Sequence, residues 1–274
     1  FKSVAGYSKI GSYTGNGSAT GPIVNTGFEP AFVIIKRTDS SDNWSITDNK
    51  RSSSNPRANA LFPNLTQSEL TSGYSVNYLS NGFQIADSGG GVNASGGTFL
   101  YIAFASDQSA APVLADSFAN KLYTGTGSAT SISGLGFSPS LAWIKGRTNT
   151  ASHQWFDTLR GATYQISSDS TGAQTQNTQM LTSFDTDGFS LGNQSSVNGS
   201  GVNYVAWNWK ANAVPTINTD GGIQSIVSAN QASGFSIVKW DGTGSASTVG
   251  HGLSAAPELI LTKRLNGSGD WYSF

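Results

Sequence analysis

Tyr13–Thr20 reads YTGNGSAT, Tyr123–Thr130 reads YTGTGSAT, and Trp240–Thr248 reads WDGTGSAST. The phrase has the glycines of a phosphate loop but not its frame. A dinucleotide fingerprint needs G-x-G-x-x-G between a strand and a helix. Here Gly125 and Gly127 are followed by Thr130 where the third glycine belongs, and Ser247 stands there in the third instance. No amphipathic helical pattern follows. The phrase is a strand running into a glycine turn, written three times because something larger is repeated.

Other landmarks keep the same order. GFEPAFVIIKR (Gly27–Arg37) matches GFSPSLAWIKGR (Gly136–Arg147) and GLSAAPELILTKR (Gly252–Arg264). NWSITD from Asn43 matches QWFDT from Gln154 and DWYSF from Asp270, which aligns Trp44, Trp155 and Trp271. SNGFQI at Ser80 matches TDGFSL at Thr186. VNASGGTFLYIAF from Val92 matches VNGSGVNYVAW from Val197, and Ser106 is taken as the counterpart of Trp209. The first copy reads DNKRSSSNPRANALF where the second has FDTLRGA, so their loops are expected to differ. The spacing, roughly 110 residues, is that of a domain rather than of a solenoid unit of ~20–50.

The expected organisation is beads on a chain. Residues 1–7 end a preceding unit or linker. Residues 8–106 form the first repeat, 107–119 a linker, 120–211 the second repeat, 212–233 a linker, and 234–274 the start of a third. The opening Phe1-Lys2-Ser3 and the final DWYSF mark the chain as a piece of a longer polypeptide.

Within a repeat, short apolar runs of β-formers sit between turn residues. AFVIIKR and LAWIKG follow Pro30 and Pro139. Asn81-Gly82 and Asp187-Gly188 are read as hairpin turns with positive φ. TFLYIAFA and YVAWNWK are apolar on both faces, as central strands are. The one helix candidate is Asn64–Gly73. The fold class is therefore all-β, tandem β-sandwich or jelly-roll domains, two complete and one partial.

Composition narrows the function. Only 11% of residues are charged and the net charge is −1, so no basic field points to nucleic acid or to an anionic membrane surface. With no cysteine there is no disulfide framework, thiolate metal site or Cys nucleophile. No apolar run reaches the ~18 residues that span a bilayer.

Catalytic constellations are not found. His153 and His251 fall at different places in the repeat, and neither H-E-x-x-H nor G-x-S-x-G occurs. The close acidic pair Asp185/Asp187 flanks a turn, and no carboxylate pair recurs between copies as a glycosidase would need. No cofactor is expected. Calcium is the one alternative, with Asp39 and Asp42 in TDSSDNW as its ligands. Aromatic faces offer carbohydrate stacking, for which Trp44, Trp155 and Trp209 are the candidates, with Trp207 beside them. Lys36, Lys145 and Lys263 recur at one strand end and are read as solvated ends or edge protection.

Taken together, the stretch from YTGTGSATSISGLGFSPSLAWIKGR through FDTLRGATYQISSDST and LTSFDTDGFSLG to VNGSGVNYVAWNWKA resembles a repeat domain of bacteriophage tail, fibre and other virion proteins. GFSIVKWDGTGSASTVGHGLSAAPELILTKR resembles the opening segment of the same repeat. The resemblance implies a concanavalin-like sandwich, a virion or extracellular location, no catalytic residues, and other virion proteins and a homo-oligomer as partners. Host cell-surface glycans are the expected ligand of an adhesive version. A glycan depolymerase and a bacterial adhesin are the alternatives.

Overall fold

The computed structural model describes residues 1–105, 117–211 and 214–274. Among the described residues, helix is confined to two four-residue turns; the regular structure is otherwise antiparallel β-sheet, and the protein is an all-β sandwich.

Copy 1 comprises β1 (Ser8–Thr14), β2 (Ile23–Asn25), β3 (Pro30–Arg37), β4 (Ser45–Asp48), β5 (Val76–Leu79), β6 (Gly82–Ile85), the turn α1 (Gly90–Asn93) and β7 (Thr98–Ala105). Copy 2 comprises β8 (Phe118–Thr124), β9 (Thr130–Ser133), β10 (Leu141–Gly146), β11 (Gln154–Asp157), β12 (Tyr164–Ser167), β13 (Thr175–Gln176), β14 (Leu181–Asp185), β15 (Gly188–Leu191), α2 (Ser195–Asn198) and β16 (Asn203–Trp209). Copy 1 makes one sheet in the order β1-β7-β3-β4 and another in the order β2-β6-β5. Copy 2 repeats both, as β8-β16-β10-β11 extended by β12 and β13, and as β9-β15-β14. The closing strands β7 and β16 are central. Lys36 lies opposite Leu100 and Lys145 opposite Val205, so the two lysines hold equivalent places.

The closing strands are apolar on both faces because both faces are covered. Side chains alternate across a strand. In β16, Tyr204 and Ala206 face the core between the two sheets of copy 2, while Val205, Trp207 and Trp209 face outward. In β3, Val33 and Ile35 enter the sandwich core of copy 1, and Phe32 and Ile34 face outward. These outward faces meet in a single cluster joined by Phe235 and Leu259 from the third copy. The beads-on-a-chain expectation is thereby corrected: three copies surround one shared core, and burying those aromatic faces drives their association.

The third copy comprises β17 (Thr216–Asn218), β18 (Ser225–Asn230), β19 (Phe235–Trp240), β20 (Leu261–Lys263) and β21 (Trp271–Ser273). β17 and β18 occupy the stretch expected as a linker, 212–233, and pair in the order β17-β18-β19. Of the expected linker 107–119, residues 107–116 lie outside the described residues, and Phe118 already belongs to β8.

The thrice-written phrase has a structural task. Tyr123 donates to the Val197 carbonyl at 2.7 Å, and the loop after it wraps the buried side chain of Asn198. The Asn198 carbonyl and Oδ1 accept from Gly127 and Thr126 N–H, and its amide donates to Ser128 and Gly192 carbonyls. Copy 1 repeats the clasp with Tyr13, Val92, Asn16, Gly17 and Asn93. Gly17 and Gly127 turn at φ +69° and +72°, the left-handed region that favours glycine.

The hairpins fall where the sequence places them, and Gly82 and Gly188 have the expected positive φ, +155° and +156°, in addition to a second reason for being glycine. Leu79 pairs with Gly82 and Asp185 with Gly188, so the loops are Ser80-Asn81 and Thr186-Asp187, and neither Asn81 nor Asp187 has positive φ. Gly82 and Gly188 are required by close approach. A Cβ there would overlap the carbonyl oxygens of Val24 and Ile132 on the neighbouring strand.

Asn64–Gly73 is not helical. Its backbone is drawn into sheet-like bonding, with Leu70 bridged to Ala60 and the Glu69 N–H donating to Arg147 of copy 2.

Candidate functional site: the joint between copies

The joint between copies 1 and 2 is built from one end of β10 and the segment that follows β4. Lys145 is fully buried, and its ammonium donates to the carbonyls of Thr66 in copy 1 (3.1 Å), Gly146 (2.8 Å) and Asn149 (3.3 Å). Burial pushes its pKa down to about 8, against the opposing charge of Asp169. The expectation of a solvated strand end is corrected: this lysine is a clamp. Beside it, Trp143 Nε1–H donates to His153 Nδ1 at 2.9 Å, which leaves the imidazole proton on Nε2. Burial, with the Lys145 charge adding to it, holds His153 neutral, well below its ordinary pKa.

A buried ion network crosses the same joint. Arg51 Nε meets Asp48 at 2.6 Å and its Nη1 meets Glu69 at 3.0 Å. Glu69 also holds Arg147 of copy 2 at 2.9 Å. Burial opposes the Glu69 charge, but Arg147 and Arg51 outweigh it and lower its pKa. Trp207 of copy 2 covers the Arg51 guanidinium and donates its indole N–H to Asp48.

The joint recurs in part between copies 2 and 3. Lys263 donates to the carbonyls of Thr171 (2.9 Å) and Gly269 (2.8 Å). Gln174 N–H donates to the Leu265 carbonyl at 2.9 Å, as Glu69 N–H does to that of Arg147 at 2.9 Å. Trp271 Nε1–H reaches the Ser167 carbonyl at 2.8 Å. Asp157 and Arg160 reproduce the Asp48–Arg51 pair, with Arg160 also bonded to the carbonyls of Trp155 and Tyr164. This is a heterologous, head-to-tail interface used twice within one chain.

The structure separates the predicted site residues. Strand register pairs Ile34 with Ile46, Trp143 with Trp155, and Lys263 with Trp271. Trp155 therefore holds the place of Ile46, and Trp44 and Trp271 hold the place of His153; the alignment of Trp44 with Trp155 is corrected by two residues. Trp209 likewise matches Phe104 rather than Ser106, since Leu100 and Val205 are equivalent. Trp155 is 8% and Trp209 2% exposed, and both pack in the shared core. The Trp155 ring packs against Trp143 and Trp271, and the Trp209 ring against Phe104 and Phe118, in tilted or edge-on contacts. Trp44 is half-buried at the edge of the same cluster. Trp155 and Trp209 therefore present no free platform for a sugar. Asp39 and Asp42 both bind Arg37, at 2.7 and 3.2 Å, so a guanidinium supplies the positive charge assigned to calcium. His251 accepts from Leu253 N–H within its own loop.

Sequence reasoning missed Asp48, Arg51, Glu69, Arg147 and the role of Lys145. A signal was present: D-x-x-R occurs as DNKR (Asp48–Arg51) and DTLR (Asp157–Arg160), in the segments read as different.

A family profile described as a domain of unknown function, DUF7483, matches residues 1–108 and 114–273. The chain belongs to the DUF7483 family. No curated protein matches it, and no solved structure does. For this DUF7483 chain the repeated joint is the best-built arrangement of polar and charged groups among the described residues.

Proposed function

We propose that this DUF7483 chain is a non-enzymatic structural protein of a bacteriophage virion, a component of a tail, a tail fibre or a capsid-surface fibre. The observation that carries the reading is the joint: its buried charges and its largest aromatic side chains serve to hold one sandwich copy to the next. The sequence resemblance to virion repeats supplies the location. Asp48, Glu69 and Asp157 are held by arginines, which favours a structural role over a depolymerase.

The test is immunogold labelling of purified particles with antibody to this chain. Label on tail or capsid is the expected result. Label on the uninfected cell surface instead favours the adhesin. Release of reducing ends from host polysaccharide, abolished by changing one carboxylate, overturns the non-enzymatic reading.

A further inference from the structure

Lys145 on Thr66 ties copy 2 to copy 1, and Lys263 on Thr171 ties copy 3 to copy 2. The first residues of the chain bring copy 3 back to copy 1. The Phe1 amino group donates to the Leu259 carbonyl at 2.9 Å, and the Phe1 carbonyl accepts from the N–H groups of Glu258 (2.9 Å) and Leu259 (3.2 Å). Lys2 N–H donates to the Gly234 carbonyl at 2.8 Å. Copy 2 makes the same bonds with the end of its own closing strand. Trp209 pairs with Leu141 and accepts from Ser140 N–H, and Lys210 N–H donates to the Ser117 carbonyl at 3.0 Å. In copy 1, Phe104 pairs with Phe32, and Ala105 N–H donates to the Tyr7 carbonyl at 2.7 Å. Against β19 and β20, Phe1 and Lys2 therefore hold the places that Trp209-Lys210 and Phe104-Ala105 hold in the other copies.

The side chains of the three equivalent residues meet. Ring centroids are 5.7 Å apart between Phe1 and Phe104, 5.7 Å between Phe104 and Trp209, and 6.0 Å between Phe1 and Trp209. All three pairs are edge-on, with interplanar angles of 63°, 72° and 70°, an arrangement that aromatic quadrupoles favour. Equivalent residues at nearly equal distances and tilts mark a pseudo-threefold axis through the shared core. The neighbour within each copy is repeated too, with Phe1 on Phe235 at 4.9 Å and Trp209 on Phe118 at 5.1 Å. A head-to-tail joint whose rotation closes gives a ring, and one whose rotation does not close gives an open filament.

We propose that Phe1–Lys2 is the end of the closing strand of copy 3, and that the three copies close through it into a pseudo-threefold ring around the Phe1–Phe104–Trp209 triangle. The polypeptide leads from this strand end into β1, as it leads from the end of β16 toward β18 and β19, so the strand end that seals copy 3 also opens copy 1. The seal combines backbone bonding to both neighbouring strands with burial of the Phe1 ring among aromatic side chains of all three copies. The inference deepens the assembly role and rests on the virion reading for its setting. There, these three copies act as a compact closed knob rather than as a stretch of shaft lengthened by repeating the joint.

The experiment uses the full chain, which has no cysteine of its own. Phe1 and Leu259 exchange hydrogen bonds, and the Cα atoms of such a pair lie about 5.5 Å apart, within disulfide reach. The next residue, Ile260, points to the other face. Under mild oxidation, Phe1→Cys/Leu259→Cys should form an intramolecular disulfide about ten times faster, or more, than Phe1→Cys/Ile260→Cys. Equal rates, or a disulfide between positions 1 and 259 found only between two chains, would overturn the proposal. In the second case copy 3 would be sealed by another molecule and the ring would be open. Because Phe1→Cys removes a core ring, amide exchange gives an independent reading. The Glu258 and Leu259 amides should exchange about tenfold faster, or more, once Phe1 and Lys2 are deleted, while the equivalent Ser140 amide in copy 2 keeps its protection. Exchange at Glu258 and Leu259 that is indifferent to the deletion would also sink the closure. Neither measurement involves the virus particle, so failure here leaves the virion reading standing, and failure of the particle labelling leaves the ring standing.

Discussion

Trp207 of the second copy lies over Arg51 of the first, ring centroid 5.5 Å from the guanidinium carbon, and its indole N–H reaches Asp48 at 3.1 Å. One side chain thereby joins a closing strand to a buried charge network in another sandwich. The cation–π contact and the charge-assisted hydrogen bond are both made away from water, where such interactions are strongest.

Trp207→Ala should destabilise the chain by about 3–5 kcal/mol, through the cavity and the stranded Asp48 acceptor. Trp207→Phe, which keeps most of the packing, should cost less. Urea denaturation with two probes, one in each copy, checks this. If the copies were independent beads, only the copy 2 probe would respond; the shared core requires both to shift.

Asn198→Ala and Asn93→Ala should each cost about 2–4 kcal/mol, since several backbone groups of the YTGxGSAT loop lose their partners in a buried place. The amide exchange of Gly127 and Gly17 should accelerate in the matching copy only. Unchanged protection at those amides would mean that the clasp does not hold the loop.

The two glycines of one motif should behave differently. Gly125→Ala forces a Cβ against the Gly199 carbonyl and should destabilise by about 1–3 kcal/mol. Gly242→Ala, at the equivalent place in the third copy, meets open space and should fall within about 0.5 kcal/mol of the parent. Gly188→Ala, which meets the Ile132 carbonyl, should resemble Gly125→Ala. Melting temperatures of the three variants decide the matter.

Lys145 gives the joint a pH signature. Its pKa is about 8 in the fold against the ordinary 10.5, so between these values the unfolded chain binds more protons than the folded one. Stability from this group therefore rises with pH from about 8 to 10.5 and is flat below 8, with a slope of at most about 1.4 kcal/mol per pH unit. Comparing parent and Lys145→Met by urea denaturation from pH 7 to 9.5 isolates it. The parent should gain on the variant only above pH 8; parallel curves would refute the shift.

The all-β class, the repetition, the hairpin positions and the centrality of the closing strands were legible in the sequence. These depend on local features: alternation, glycine turns and landmark order. It misplaced Trp44 against Trp155 and Trp209 against Ser106 for a physical reason. Side chains of a strand repeat every two residues, so a slip of two leaves every inward and outward assignment intact. Only the backbone pairing of Ile34 with Ile46 and of Trp143 with Trp155 fixes the register. The tertiary structure also decided what the outward faces do. Phe32, Trp143 and Trp207 look equally apolar whether they face a sheet of their own copy or another copy, because burial is non-directional and carries no address. The address lies in contacts between residues far apart in the chain, Lys145 with Thr66 and Lys263 with Thr171, and these exist only once the copies have packed together.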